Sequence, residues 1–180
     1  MFKKTREKIG CKLLKSKASR VKRSKVFSNF DTASSVGILF DSTKQLSYLA
    51  AKRLKSFLEE KGKRCNVLGA VVNSEMLLYF PETSGISFFS LDSLNIFELP
   101  ISKEVDNFIS TEYDILVNLF ADDLLCIDYV IALSKAKFKI SPKLQNDFAD
   151  LTIDFKDKKP ETEQVIERVK SCLAALTPKN

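Results

Sequence analysis

The stretch that decides the fold is residues 36–72, VGILFDSTKQLSYLAAKRLKSFLEEKGKRCNVLGAVV. It opens with the run from Val36 to Phe40, which is short, apolar and bounded by Asp41, as is typical of a buried strand. A second apolar run, residues 64–72, predicts another strand. A helix between them would join the two strands into a right-handed parallel unit.

The prediction of that helix rests on a capping signal, an apolar stripe and a terminal glycine. Residues 42–45, Ser-Thr-Lys-Gln, match the S-x-x-Q capping box. Gly62 follows the stripe at a position where glycine commonly closes a helix in the left-handed conformation. The apolar residues at helical spacing are Leu46, Leu49, Ala50, Leu54, Phe57 and Leu58.

The rest of the chain continues the alternation of strands and helices. Residues 75–80 and 86–97 predict an irregular third strand with a loop, because Pro81 and Gly85 interrupt them. Further strands are predicted at 113–120, 137–140 and 151–155, and further helices after Ser102, at 123–135 with Asp122 as the cap, and after Pro160. This alternation predicts an α/β three-layer sandwich with a mostly parallel sheet of about five strands, Rossmann- or flavodoxin-like.

A basic arm precedes this domain, and we divide the chain into an arm at residues 1–30 and an α/β domain at 31–180. Residues 1–25 contain eleven of the 29 Lys and Arg residues and a single acid, Glu7. The remainder has 18 basic and 22 acidic residues, so the overall charge of +6 conceals a strong asymmetry. The cations of the arm are Lys3, Lys4, Arg6, Lys8, Lys12, Lys15, Lys17, Arg20, Lys22, Arg23 and Lys25.

The arm is the candidate binding element. Its charges repel one another and it has little apolar surface to bury, so we expect it to be largely disordered in isolation and helical when bound. Its cations predict binding to the phosphates of RNA, because neutralising phosphates releases counterions and gives high, salt-dependent affinity. A solvated tail without a partner is one alternative. An anchor on an anionic membrane is another, although the chain lacks Trp and the apolar stripe of the arm is narrow.

Composition excludes several classes of site and of location. The chain has no histidine, the commonest general base and zinc ligand, and no catalytic motif, so we predict no enzyme, no cofactor and no metal. Four cysteines without CxxC spacing favour a reducing cytoplasm. No apolar run is long enough to span a bilayer, and residues 1–25 lack the apolar segment of a secretory signal. A cleaved organelle transit peptide is the minor alternative for the arm.

A weaker candidate site lies beyond the carboxyl ends of the strands, where α/β sheets bind ligands. Carboxylates and hydroxyls there predict either a magnesium ion or a phosphate at a helix N-terminus. The competing interpretation is structural, because Ser42 and Asp122 also serve as helix caps and no GxGxxG or GxxxxGK[ST] follows a strand. The candidate residues are Asp41, Ser42, Thr43, Asn118 and Asp122.

Two further groups have both a functional and a structural interpretation. An aromatic-rich middle can stack on bases, but aromatics at this density are more often core. Residues 135–139, KAKFK, alternate as an edge-proximal strand does, and they equally extend the basic surface. The aromatic group consists of Tyr79, Phe80, Phe88, Phe89 and Phe97.

Five runs carry a resemblance to a known family: 37–41, 57–69, 86–97, 113–120 and 132–140. Together they resemble a small uncharacterised bacterial family found mainly in Bacteroidota, and the likeness spans nearly the whole chain, including its Lys-rich N-terminus. That family has no assigned reaction, so the resemblance implies a bacterial cytoplasmic protein with a lineage-restricted role and transfers no catalytic residue.

The resemblance and the arm together predict a non-catalytic RNA-binding protein that is associated with the ribosome. Its expected partners are ribosomal RNA and neighbouring ribosomal proteins. The alternatives are a small-ligand or enzymatic α/β domain that uses the carboxyl edge of its sheet, and a peripheral membrane protein anchored by the arm.

Overall fold

A parallel sheet forms the centre of the molecule. The computed structural model describes residues 2–80, 84–142, 147–155 and 160–175, and the side chains of Phe2 and Lys3 lie outside this description. Within these ranges six strands pair in parallel throughout. They are β1 (Ser35–Asp41), β2 (Arg64–Val71), β3 (Ile86–Ser90), β4 (Ile115–Asn118), β5 (Phe138–Ser141) and β6 (Leu151–Thr152).

The strand order is β3-β2-β1-β4-β5-β6, which confirms the α/β prediction and adds one strand to the expected five. This is the doubly wound order, in which the chain reverses direction across the sheet between β1 and β4. The two strands are in register from Val36 opposite Ile115 to Leu39 opposite Asn118. The predicted irregular third strand is the regular β3, and the residues before it form a short 3-10 helix, Ser74–Tyr79.

Helices cover both faces of the sheet. On one face, α2 (Gln45–Glu60) and α5 (Thr162–Ala175) pack over a core that includes Phe40, Val67 and Val117. On the other face, α3 (Lys103–Ser110) and α4 (Leu125–Leu133) pack over a second core that includes Leu39 and Leu68. Both strand faces are therefore buried, which is why the strands are continuous apolar runs rather than alternating ones.

Two of the predicted helix starts are wrong. The N-cap position of α2 is Lys44, because β1 continues through Asp41 and Ser42 still donates its backbone N–H to the Ala70 carbonyl at 2.9 Å. This bond ties Ser42 to β2, and residues 42–43 form a turn, so the helix starts later than the S-x-x-Q motif predicts. Similarly, Leu124 rather than Asp122 occupies the N-cap position of α4.

Other local signals are confirmed. Ser102 caps α3, accepting a hydrogen bond from the Val105 amide at 3.2 Å. Gly62 has φ of 73° and its N–H donates to the Glu59 carbonyl at 2.8 Å, which closes α2 as predicted. The apolar face of α5 is buried through Val165, Ile166 and Val169, and the predicted member Leu176 lies outside the described residues.

The N-terminal segment is a helix followed by an extended stretch. Helix α1 (Phe2–Ala18) packs against α4. Residues 19–34 then run along the amino-terminal edge of the sheet, where Val26 donates to the Lys137 carbonyl at 3.3 Å and the Phe27 ring contacts Phe138 edge-on at 5.0 Å. The segment therefore touches the sheet at the opposite end of the strands from the carboxyl edge.

Candidate nucleic-acid interface

Helix α1 docks on α4 through small and apolar residues spaced four apart. Leu14 is buried in the core, and Ala18 packs against the same cluster. A Cβ atom on Gly10 would overlap the Phe97 carbonyl oxygen and lie 2.8 Å from Cδ2 of Leu125. The missing side chain of Gly10 therefore allows α1 to pack closely against its neighbours. The small-apolar-small spacing was the sequence signal for this seam.

Most cations of the arm are exposed once α1 is docked. Arg23 is the exception among those described, and the side chain of Lys3 is outside the description. Lys17 is exposed but also donates to the Tyr129 hydroxyl at 3.3 Å and lies 5.2 Å from the centre of that ring. The exposed cations are Lys4, Arg6, Lys8, Lys12, Lys15, Lys17, Arg20, Lys22 and Lys25.

Docking sorts the cations of α1 onto two flanks of the helix. Residues three or four apart in a helix lie on one side, about 5–6 Å apart along the axis. Four lysines therefore form a cation row on one flank: Lys4, Lys8, Lys12 and Lys15. Arg6 and Lys17 lie on the other flank, and the partly exposed Ile9 and Leu13 lie between the two. The row places four positive charges along one side of the helix.

Arg23 belongs to the fold rather than to this exposed set. Its guanidinium forms a bidentate pair with Asp150, at 2.6 and 2.8 Å, and donates to the carbonyls of Ala136 and Lys137 at 3.2 and 3.0 Å. Its side chain is only 9% exposed. Because planar bidentate pairing is the strongest form of such a contact, the extended stretch is fixed at the start of β5.

A second carboxylate fixes the end of the same stretch. Asp114 accepts hydrogen bonds from the backbone amides of Ser34 and Ser35 at 2.9 and 3.0 Å and from Lys137 Nζ at 2.8 Å. Burial alone would raise the pKa of Asp114, but these donors outweigh it and lower the pKa to about 2. Residues 19–34 are thus held at both ends by ionised acids.

Lys139 differs from the prediction that the KAKFK run extends the basic surface. Strand β6 lies outside β5, so β5 is not the edge, and the Lys139 side chain is buried. Its Nζ donates to the carbonyls of Ile131 and Ala132, at 2.6 and 3.2 Å, near the C-terminus of α4. Burial, together with the smaller effect of the nearby Arg23 charge, lowers the pKa of Lys139 to about 7.

The polar residues of the carboxyl edge are directed into the protein. Asp41 accepts from the Thr43 amide at 2.9 Å, and Asn118 bonds the Phe120 amide at 3.0 Å and the Ser141 hydroxyl at 3.1 Å. Phe120 is itself buried beside the point where the strand order reverses. The fold therefore brings Asp41, Ser42, Thr43 and Asn118 to the expected edge, but hydrogen bonds within the chain occupy most of them.

Among the described residues of that edge, Ser42 has a buried polar atom that makes no hydrogen bond. Its side chain is buried, and its Oγ has no hydrogen-bond partner among the described atoms. Asp122 lies two residues before Leu124, the N-cap residue of α4, and it interacts with other groups of the protein. No group of three His, Cys, Asp or Glu residues within the described ranges is arranged to hold a metal ion, so the suggestion of magnesium gains no support there.

The aromatic middle is largely core. Phe89 is buried, and Phe88 packs between Phe40 and Phe80, with the Phe80 ring stacked on it at 4.4 Å. Tyr79 is exposed, so it is the member of the group that is open to solvent. The base-stacking interpretation therefore has one candidate side chain rather than five.

None of the helices in the described part of the chain is both long enough and apolar enough to cross a membrane.

A comparison with curated proteins finds no match. A model of a family of unknown function, DUF6913, matches residues 3–176. This match covers almost the whole chain and confirms the resemblance to an uncharacterised family, and the chain belongs to that family of unknown function.

Proposed function

We propose that this protein is a non-catalytic RNA-binding protein, associated with the ribosome, in which α1 supplies the contacts to RNA phosphates. The observation that carries the proposal is the set of nine exposed cations between Lys4 and Lys25, on a chain whose remainder carries a net charge of −4. A surface so polarised binds a phosphate polymer through counterion release, without any need for a base-specific pocket.

The docked helix strengthens this proposal over a loose tail. A disordered arm loses conformational entropy when it binds, whereas α1 already holds its lysines in a row against α4. The α/β body then places the row relative to RNA or to a neighbouring ribosomal protein. The proposed site comprises Lys4, Arg6, Lys8, Lys12, Lys15, Lys17, Arg20, Lys22 and Lys25.

A pair of matched charge variants tests the proposal. One replaces the cation row, Lys4, Lys8, Lys12 and Lys15, with glutamine, whose helix propensity is close to that of lysine. The control replaces four exposed lysines of the body, Lys44, Lys52, Lys103 and Lys135, and removes the same charge. If each row lysine neutralises one phosphate, the slope of log affinity against log salt becomes shallower by about 3 in the row variant.

The readouts are binding to structured ribosomal RNA over a range of salt concentrations and co-sedimentation with ribosomes. We expect the row variant to lose co-sedimentation and the control to retain it. Equal losses in both variants would mean that bulk charge alone acts, and no loss in either would reject RNA binding. Because Ile9 and Leu13 are exposed between the flanks, flotation with anionic liposomes is the third arm, and binding there without RNA binding would assign the helix to a membrane surface.

A further inference from the structure

A cavity of about 230 Å3 lies where α1 ends, between the extended stretch, the end of α4 and residues 147–149. We call it the joint cavity, and its lining includes Ala18, Arg23, Lys25, Lys139, Asp147 and Phe148. Three cations, Arg23, Lys25 and Lys139, therefore line one concave site, although Lys139 lies more than 110 residues after the other two in sequence. Neither the family match nor the cation row accounts for this arrangement.

The charges of the joint cavity favour a singly charged anion. Asp150 pairs with Arg23, and Asp147 belongs to the same lining as Lys25 and Lys139. The three cations and two carboxylates leave one net positive charge when Lys139 is protonated. A phosphodiester carries one negative charge, so it matches this lining better than a dianion does.

Lys25 and Lys139 differ in how many N–H donors remain available to a ligand. Lys25 is 72% exposed and makes only a long contact with Asp150, 3.6 Å. Lys139 uses two N–H donors on the carbonyls of Ile131 and Ala132, and an ammonium group has three. An anion that approached both side chains would also raise the pKa of Lys139 from about 7 and keep it protonated.

The joint cavity continues the cation row. A smaller cavity of about 130 Å3 lies along the same flank of α1, and its lining includes Cys11, Leu14, Lys15 and the carboxylate of Asp128. The two cavities share Asp147 and Phe148. A polyanion that followed the row from Lys4 to Lys15 would therefore be led to Lys25 at the joint cavity.

We propose that the joint cavity binds one phosphate group of the RNA strand that follows the cation row. This inference rests on the proposed function and adds a fixed point to it, since a seated phosphate would set the register of the strand on the protein. The row supplies affinity along the helix, and the cavity defines where the strand crosses to the amino edge of the sheet.

Two variants test the inference without removing a buried group. Ala149→Phe fills the cavity at a partly exposed position and changes no charge, with Ala149→Ser as its control. Lys25→Gln removes the exposed cation, with Lys103→Gln as its control. Melting curves establish that each variant is folded, and RNA affinity is then measured over a range of salt concentrations.

We expect Ala149→Phe and Lys25→Gln each to weaken binding and to make the salt slope shallower by about 0.7, one phosphate contact on a single strand, while both controls bind as wild type. Wild-type slopes in Ala149→Phe and Lys25→Gln would overturn the inference. If inorganic phosphate raised the melting temperature of wild type but not of Ala149→Phe, with RNA slopes unchanged, the cavity would take free phosphate and the inference would also fail.

Failure of this inference and failure of the proposed function are distinguishable. The cation-row variant reports on RNA binding by α1 whatever the cavity does. Loss of binding in the row variant together with wild-type behaviour of Ala149→Phe would leave the proposed function intact and reject the seated phosphate. Wild-type binding by the row variant would reject both.

Discussion

The outward flank of α1 and the carboxyl edge of the sheet are both polar regions, but they use their polar groups in opposite ways. On the flank, Lys4, Lys8 and Lys12 are exposed to solvent. At the carboxyl edge, Asp41 and Asn118 bond backbone amides of the loops that follow their own strands. Polar groups that form hydrogen bonds within the chain stabilise the fold, whereas exposed charges are available to a partner.

Arg23 is a cation of the basic segment whose charge is used within the fold. It lies in the same basic segment as the exposed lysines, yet it is bonded to Asp150 and to two carbonyls at the start of β5. Composition therefore assigns it to the binding surface, and the structure assigns it to the attachment of that surface.

Removing Asp150 should have the largest effect on stability. Asp150→Ala leaves the nearly buried Arg23 guanidinium without its carboxylate, and breaking a pair of this kind costs about 3 kcal/mol. Chemical denaturation measures the loss in unfolding free energy. The control is Glu163→Ala, which breaks the exposed pair with Arg53 and should cost less than about 1 kcal/mol. Equal losses in the two variants would mean that Arg23 does not attach the segment.

Gly10→Ala should loosen the docking of α1. The added methyl group overlaps the Phe97 carbonyl, and overpacking costs about 1–3 kcal/mol, against a gain in helix propensity of about 1 kcal/mol. Hydrogen exchange of the α1 amides should become faster while exchange in the sheet stays unchanged. Lys12→Ala, on the exposed flank, is the control and should not alter exchange at the seam. Unchanged protection in Gly10→Ala would contradict the close packing described here.

Burial of Lys139 should make stability rise with pH just above neutrality. The pKa of Lys139 is about 7 in the folded protein and 10.5 in a model peptide, so between these values the unfolded chain binds more protons. The unfolding free energy should therefore increase by about 1 kcal/mol from pH 7 to 8. Above that range the raised pKa values of Cys65 and Cys126 act in the opposite direction. A Lys139→Met variant should lose the increase, and its persistence there would contradict this origin.

The smallest effect is expected at the carboxyl edge. Asp41→Ala removes one hydrogen bond to the Thr43 amide and should cost about 1 kcal/mol in unfolding free energy. RNA affinity and its salt slope should not change, because Asp41 is not part of the cation row and its carboxylate is bonded to the Thr43 amide. A clear drop in RNA affinity for a folded Asp41→Ala protein would break the contrast between the two regions.

The sequence predicts the sheet well because its strands are buried on both faces. Runs such as 36–40 and 115–117 are apolar at successive positions, and that pattern can be recognised without knowing which strand pairs with them. Caps were less predictable, because the extension of β1 through Asp41 moved the start of α2 past Ser42. The backbone path of a neighbouring strand therefore overrode a local motif.

The candidate site was predictable in composition but not in arrangement. The charge of residues 1–25 is plain in the sequence, whereas the docking of α1 depends on the contact of Gly10 with Phe97 and Leu125. The pairing of Arg23 with Asp150 spans 127 residues. The KAKFK run lies next to the edge strand, as its alternation indicates, but nothing in one sequence shows that the side chain of Lys139 is buried and bonded to carbonyls of α4. Long-range contacts of this kind decide which charges are free, and they require the fold.

The decisive measurement for α1 as the RNA-binding element is the salt dependence of binding to ribosomal RNA. It compares the wild type with the variant in which Lys4, Lys8, Lys12 and Lys15 are replaced by glutamine. We predict a steep decline in affinity with salt for the wild type. The slope of log affinity against log salt should be shallower by about 3 for the row variant, and the body-lysine control should match the wild type. The same slope in the wild type and the row variant would contradict the assignment of α1 as the RNA-binding element.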